Sequence, residues 1–253
     1  MTNTLLRTRL WTAAGFLCLV LAWWLASLIA HPTIVASPVS TMQALVTFLS
    51  DPAFFGTVIY PSIGHILAGL CLAAVLGLGF GILAGQYIVV RSFLAPLRIV
   101  LTSMPAAIGV VLLILWMGLG SQMIIAVVGV FVAPVYYLAL CEGFDSIDRD
   151  LSEMTRFYRV HPALRLRHLI LPSLAPSLLP AHRLAIANST RLTILAEILS
   201  ASSGLGEAID RSRTYLQTDR LFALMIIVLG LVLCIEGLSG FIANRFMRRA
   251  ERR

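Results

Sequence analysis

An all-α, polytopic membrane protein is the fold class this sequence predicts, and three observations carry the prediction. Hydrophobic residues fill 59% of the 253 positions and charged residues only 12%, with a mean hydropathy of +0.92, more apolar than a water-soluble domain. Several windows of roughly 20 apolar residues are each long enough to cross a hydrocarbon layer about 30 Å thick. One long polar interruption, Cys141 to Leu171, divides the apolar runs into two groups. The expectation is a single domain over residues 1–253 with about six transmembrane helices, from which 141–171 projects.

Trp11 to Ala30 is the first span, with Trp23 and Trp24 near its far end, where aromatic belts lie. As a secretory signal its apolar run is too long and no Ala-x-Ala site closes it. Val39, Met42, Leu45, Val46 and Leu49 share one helical face, so Val39 to Leu49 is read as an amphipathic helix on the outer surface. Ser62 to Val90 is the second span. Its glycines at 64, 69, 77, 79, 81 and 85 suit close approach of neighbouring helices. Phe93 to Trp116 is the third, and Pro105 removes a backbone hydrogen bond and bends it, either to fit its neighbours or to shape a pathway. A turn at Met117 to Ser121 leads to the fourth span, Gln122 to Leu140. Beyond the polar segment come Pro172 to Leu199, an outer loop Ser200 to Arg220, Leu221 to Ala243, and a terminal RFMRRAERR.

All 19 basic residues are arginine. Without lysine there is no phosphate-loop lysine, Schiff-base lysine or lysine base, so ATP is expected in another subunit. Six spans put fourteen arginines on the inner side, three outside (Arg211, Arg213, Arg220) and two in the membrane, Arg183 and Arg191. That asymmetry places both termini and the polar segment in the cytoplasm, and assigns the charge to loops and lipid rather than to nucleic acid. Four cysteines without CxxC spacing and five scattered histidines offer neither a disulfide framework nor a metal site, and no nucleophile–base constellation supports an enzyme.

Within the polar segment, Asp150 to Tyr158 suits a short helix capped by Asp150 or Ser152. Pro162 suits the first turn of a second helix, Ala163 to Ile170, with His161 at the junction. Two helices meeting at a bend form a rigid elbow for an outside partner. Glu153, followed by Met154-Thr155 and closed by Leu171-Pro172, resembles the EAA loop of ABC importer permeases. Met154 and Thr155 stand where that loop has two alanines and Arg159 where it has glycine, which moves the expected bend to His161-Pro162. MPAAIGVVLLILWMGLGSQMII and LAEILSASSGLGEAI are similar to stretches of the nitrate/sulfonate/taurine branch of these permeases.

That resemblance implies the membrane subunit of an importer for a small solute such as a sulfonate, taurine or nitrate. It implies a second permease subunit, identical or not, two ATP-binding cassette subunits holding ATP and magnesium, and an external substrate-binding protein, in a bacterial inner membrane. No cofactor is expected in this chain. Coupling to the ATPase is assigned to Glu153, Met154, Thr155, Arg156, Phe157, Tyr158, Arg159, His161, Pro162, Leu171 and Pro172. Glu153 would pair with a cation, and Met154, Phe157 and Tyr158 would fill a groove.

Ionisable residues within a membrane mark function or buried pairing. Arg183 and Glu236 fall at similar depths, as an ion pair or as substrate contacts. Arg183, Thr190 and Glu197 recur every seven residues on one face, with Asn188 and Arg191 on a neighbouring strip, as an anion-guiding patch or a contact with the second membrane subunit. Ser203, Gly204 and Gly206 allow a tight outer turn, leaving Asp210 and Arg211 for a binding protein, or the stretch is a plain connector. An ion-coupled secondary transporter is the alternative, but its mid-membrane carboxylates would have to be Glu197 and Glu236, and neither has an acidic neighbour.

Overall fold

A computed structural model describes residues 2–250 apart from 32, 159, 201 and 202; the side chains of 2–6, 8–10, 13, 149, 152, 156, 162 and 239–250 are outside the description. Its helices are α1 (Thr2–Ile29), α2 (Pro38–Ser50), α3 (Pro52–Gln86), α4 (Ile88–Ser103), α5 (Ala106–Met117), α6 (Ser121–Asp145), α7 (Arg149–Phe157), α8 (Ala163–Ser200), α9 (Leu205–Thr214) and α10 (Thr218–Ala250). Among the described residues there is no strand. Helices α3, α6, α8 and α10 are long and apolar enough to cross a membrane, and α4 with α5 makes a fifth if the bent pair is one span. Among the described residues four or five spans qualify, so the expected count of six is not confirmed; in α1 the described apolar stretch is Ala14–Ile29.

Helix α6 sits at the centre, with 61% of its apolar window buried against 11% for α10. One face of α3 explains the burial. Gly69, Ala73, Gly77, Gly81 and Ala84 recur at three- or four-residue spacing, and all are buried. A Cβ on Gly69 would lie 2.5 Å from Val128 Cβ, and one on Gly77 would strike the Ala133 carbonyl oxygen. Backbone therefore meets backbone, as small residues permit in lipid. Gly64 and Gly79 face open space, so close packing accounts for only part of the glycine run. Near the start of α6, Val110 of α5 and Ala196 of α8 close around Met123, Ile124 and Val127.

The bend expected at Pro105 is present, with α4 and α5 meeting at 106°. Gly118 and Gly120 turn the chain from α5 into α6 at φ +77° and +140°, which side-chain-bearing residues rarely adopt. Pro61 and Pro172 leave their helices unbroken. Just before each, one turn is wound wide, with Tyr60 N–H bonded to Phe55 O and Leu171 N–H to Leu166 O. The i→i+5 winding makes room for the ring and absorbs the missing donor. Leu171-Pro172 is therefore not the boundary expected between elbow and span, and the elbow's second helix is the first part of α8. The outer stretch read as a loop likewise holds a ten-residue helix, α9.

Candidate functional site

A cavity of about 640 Å³ opens beside α6, walled by the α4–α5 bend and by one stripe of α8. Thr102, Met104 and Ala106 flank Pro105 at the bend, so the break in the helix forms part of the wall. On α8 the lining residues Ser177, Pro180, Leu184, Asn188 and Arg191 recur at three- or four-residue spacing on one face. Among the described residues, the ionisable ones lining it are Glu142 and Arg191. Gly143 packs on Leu174 and Ser177, which puts Glu142 near the level of Ser177. Arg191, fourteen residues further along α8, is about 20 Å away along the axis. It is exposed, with no ion-pair partner among the described residues.

The other candidates on α8 do not share this cavity. Thr190 is buried and donates to Ile186 O at 3.0 Å, whereas Arg183 is exposed and Glu236 on α10 half-buried. Glu197 is wholly buried at a second polar cluster. Ser62 Oγ lies 2.9 and 2.8 Å from its two oxygens, His65 Nδ1 is 2.8 Å from Oε1, and Gly206 N–H donates to Oε2 at 2.9 Å. Ser62 Oγ in turn accepts from Leu205 N–H at 2.7 Å. Gly204 and Gly206, expected in a tight outer turn, are buried against Glu197. A Cβ on Gly204 would lie 2.5 Å from Glu197 Oε1, and one on Gly206 would meet Glu197 Cβ. Ser203 and Asp210 remain half-buried and Arg211 exposed, Arg211 bonding Glu207 through Nε at 2.9 Å.

Sequence reasoning missed Ser62, His65 and Glu142. The first two are spaced i, i+3 on an apolar helix and were legible as one polar face. Glu142 was absorbed into the polar segment, although α6 runs on to Asp145. There Asp145 accepts from both terminal nitrogens of Arg91 at 2.7 Å, joining the end of α6 to the start of α4.

The segment between α6 and α8 presents its apolar side chains outward. Phe157 is 83% and Tyr158 71% exposed, their rings edge to face at 5.4 Å, and Glu153 and Met154 are also exposed while Thr155 is half-buried. His161 starts α8, its carbonyl accepting from Leu164 and Arg165 N–H at 2.9 and 3.1 Å and its Nδ1 from Ala163 N–H at 3.3 Å. Leu171 and Pro172 are exposed on α8. Arg159 and the side chains of Arg156 and Pro162 lie outside the described residues.

Residues 77–248, which take in the central helix, the outward-facing segment and the buried carboxylate, match the family model of the binding-protein-dependent transport system inner membrane component. The chain belongs to this family. As a permease it is 28% identical over 227 residues to the putative aliphatic sulfonates transport permease protein SsuC of Bacillus subtilis (89% of this chain, 78% of that one). To the taurine transport system permease protein TauC of Escherichia coli it is 24% identical over 213 residues (81% and 77%). Its fold matches the inward-facing MetNI methionine ABC transporter with a TM-score of 0.64 at 19% identity, covering 79% of this chain and 98% of that one. The protein is thus a multi-pass permease subunit of an ABC importer that carries solute inward, and not itself an enzyme, since ATP hydrolysis in such systems lies in a separate subunit. The ion-coupled alternative is set aside.

Proposed function

We propose that this permease pairs with a second permease subunit to enclose a pathway for a small anion of the sulfonate type, with Arg191 as the cation that meets it. The observation that carries this reading is the guanidinium of Arg191, exposed on a cavity of about 640 Å³ and, among the described residues, without a carboxylate partner. A cation in that setting attracts an anion and offers it a forked set of donors. The sulfonate and taurine relatives support the substrate class. Two ATPase subunits, holding ATP and magnesium, take the segment around α7, with Glu153 pairing and Met154, Phe157 and Tyr158 in their groove. The solute-binding protein approaches from the α9 side, and both chain termini face the cytoplasm with the ATPase. Closure of the ATPase pair on ATP then moves α7 and reorients the spans, so that nucleotide binding shifts the population between inward- and outward-open forms.

Uptake of radiolabelled taurine and ethanesulfonate into proteoliposomes holding the whole importer tests the assignment. Losing a hydrogen bond to a charged group costs about 1.5–3 kcal/mol, so Arg191→Ala and Arg191→Gln should each lower uptake by roughly tenfold or more. Full uptake by assembled Arg191→Ala would sink the anion role, and recovery by Arg191→Gln alone would assign the residue to the contact between permease subunits. Separately, Glu153→Arg that kept full transport-coupled ATPase activity would remove the proposed ion pair.

A further inference from the structure

The polar cluster around Glu197 is unused by the pathway, yet it is the most completely bonded group in the described structure. Its carboxylate is fully buried, and its partners belong to separate elements. Ser62 and His65 stand on α3, and Gly206 N–H is on the first turn of α9. The adjoining N–H, that of Leu205, goes to Ser62 Oγ. The first turn of a helix has backbone donors with no partner of their own, and Gly204, the residue before α9, supplies no side-chain cap. Glu197 and Ser62 are thus the cap of α9, delivered from two other helices. The two glycines make the approach possible, since a Cβ on Gly206 would also fall 2.6 Å from Ile194 O. Leu205, with no exposed surface, is packed with Phe54, Ile59 and Leu224, so α9 has no independent seat.

Glu197 also lies within one turn of the end of α8, and α8 runs unbroken to Ala163 beside the ATPase-facing segment. We propose that Glu197 is a positioning residue that makes α9 the outer arm of the same lever, so that a change at the ATPase end of α8 reaches the outer surface through this carboxylate. The inference rests on the importer reading. It needs the shape and acceptors of Glu197, not its titration. Glutamine at 197 satisfies the same partners, its oxygen accepting from Ser62 and Gly206 and its amide donating to His65 Nδ1 in the other tautomer. Alanine leaves Ser62, His65 and the Gly206 N–H without their acceptor, and buried donors so exposed favour local opening by about tenfold or more.

The test uses the complete importer with its ATPase subunits, digested with trypsin, which cuts α9 at Arg211 and Arg213, with and without ATP and orthovanadate. Wild type should be cut slowly, at a rate that changes when nucleotide is trapped, and Glu197→Gln should match it. Glu197→Ala should be cut about tenfold faster and be indifferent to nucleotide, while ATP hydrolysis continues. Ser62→Ala, which removes the bonds of Ser62 to Glu197 and Leu205 but leaves those of His65 and Gly206 to the carboxylate, should lie between them. A glutamine variant as impaired as alanine would overturn the staple in favour of a proton- or substrate-handling carboxylate. Cleavage of wild type that ignored trapped nucleotide would overturn the lever, as would an alanine variant that kept its nucleotide response. If alanine fails to assemble, a nucleotide response in assembled Ser62→Ala weaker than in wild type sustains the lever, and an undiminished response overturns it. A wild-type complex with no ATP hydrolysis would instead remove the importer reading itself.

Discussion

Adding one methyl group at Gly77 and one at Gly79 should move the stability of this permease in opposite directions. At Gly77 the new Cβ would strike the carbonyl oxygen of Ala133 and lie 2.7 Å from Tyr136 Cβ, where ordinary contacts lie at about 3.5–4.0 Å. The obstacle is the backbone of α6, which cannot rotate aside. Relief requires α3 and α6 to part, which loosens Gly69 against Val128 and Gly81 against Leu140 as well. Overpacking of this kind costs about 1–3 kcal/mol, and the backbone site argues for the upper end. Against it stands the gain of about 1 kcal/mol on replacing helical glycine with alanine, leaving a net loss near 2 kcal/mol. Gly79 has nothing within 4 Å of its added Cβ and keeps only the gain. The difference of about 3 kcal/mol corresponds to roughly 6–12 °C between the two midpoints. Thermal unfolding of the purified variants in one detergent measures it. A Gly77→Ala midpoint at or above wild type would refute the backbone-contact account of the α3–α6 crossing.

Removing Phe157 should leave the permease's own midpoint unchanged, because 83% of it is exposed, yet weaken capture of the ATPase subunit by about thirtyfold if it is an interface anchor. Equal binding by Phe157→Ala would show that the groove contact lies elsewhere. A double-mutant cycle on Arg91 and Asp145 should give a coupling of at most about 1 kcal/mol that shrinks with salt, since the two side chains are 37% and 56% exposed. Ser37→Ala should cost about 1 kcal/mol by removing the side chain that accepts from Ser40 N–H at 3.1 Å, seen as faster amide exchange at the start of α2 with α6 unaffected.

Much of this architecture was legible because lipid makes hydrophobicity and length into one signal. The windows at Gln122–Leu140 and Leu221–Ala243 lie within α6 and α10, and the Pro105 bend follows from proline having no N–H to give. The six-span count draws on the same signal in α1, of which Ala14–Ile29 is the described apolar stretch. Hydropathy could not show which ends of the chain meet. From the sequence Glu197 reads as a pathway residue and the glycines at 204 and 206 as a tight outer turn, because joining them requires Ser62 and His65 from 135 and 132 residues away. A lone serine and histidine on an apolar helix carry no signal of their partner.

The misreading at Leu171-Pro172 has the largest mechanical consequence. Proline after a polar stretch reads as a stop, and a stop there would isolate the elbow, the proposed ATPase contact, from the fifth span by a hinge. The wide turn ending at Ile170 removes that hinge by letting Pro172 sit inside a helix that continues to Ser200. At 1.5 Å per residue, the 38 residues of α8 form a rod about 57 Å long. A tilt of about 10° at its inner end carries the outer end through about 10 Å, and it swings Arg191 and Glu197 together because both ride on the same rod. Pro176 and Pro180 lie inside that rod and are where bending would dissipate the motion. If motion at the α7 end reaches α9 as proposed, it passes through one element whose stiffness is set by how each proline's missing hydrogen bond is absorbed.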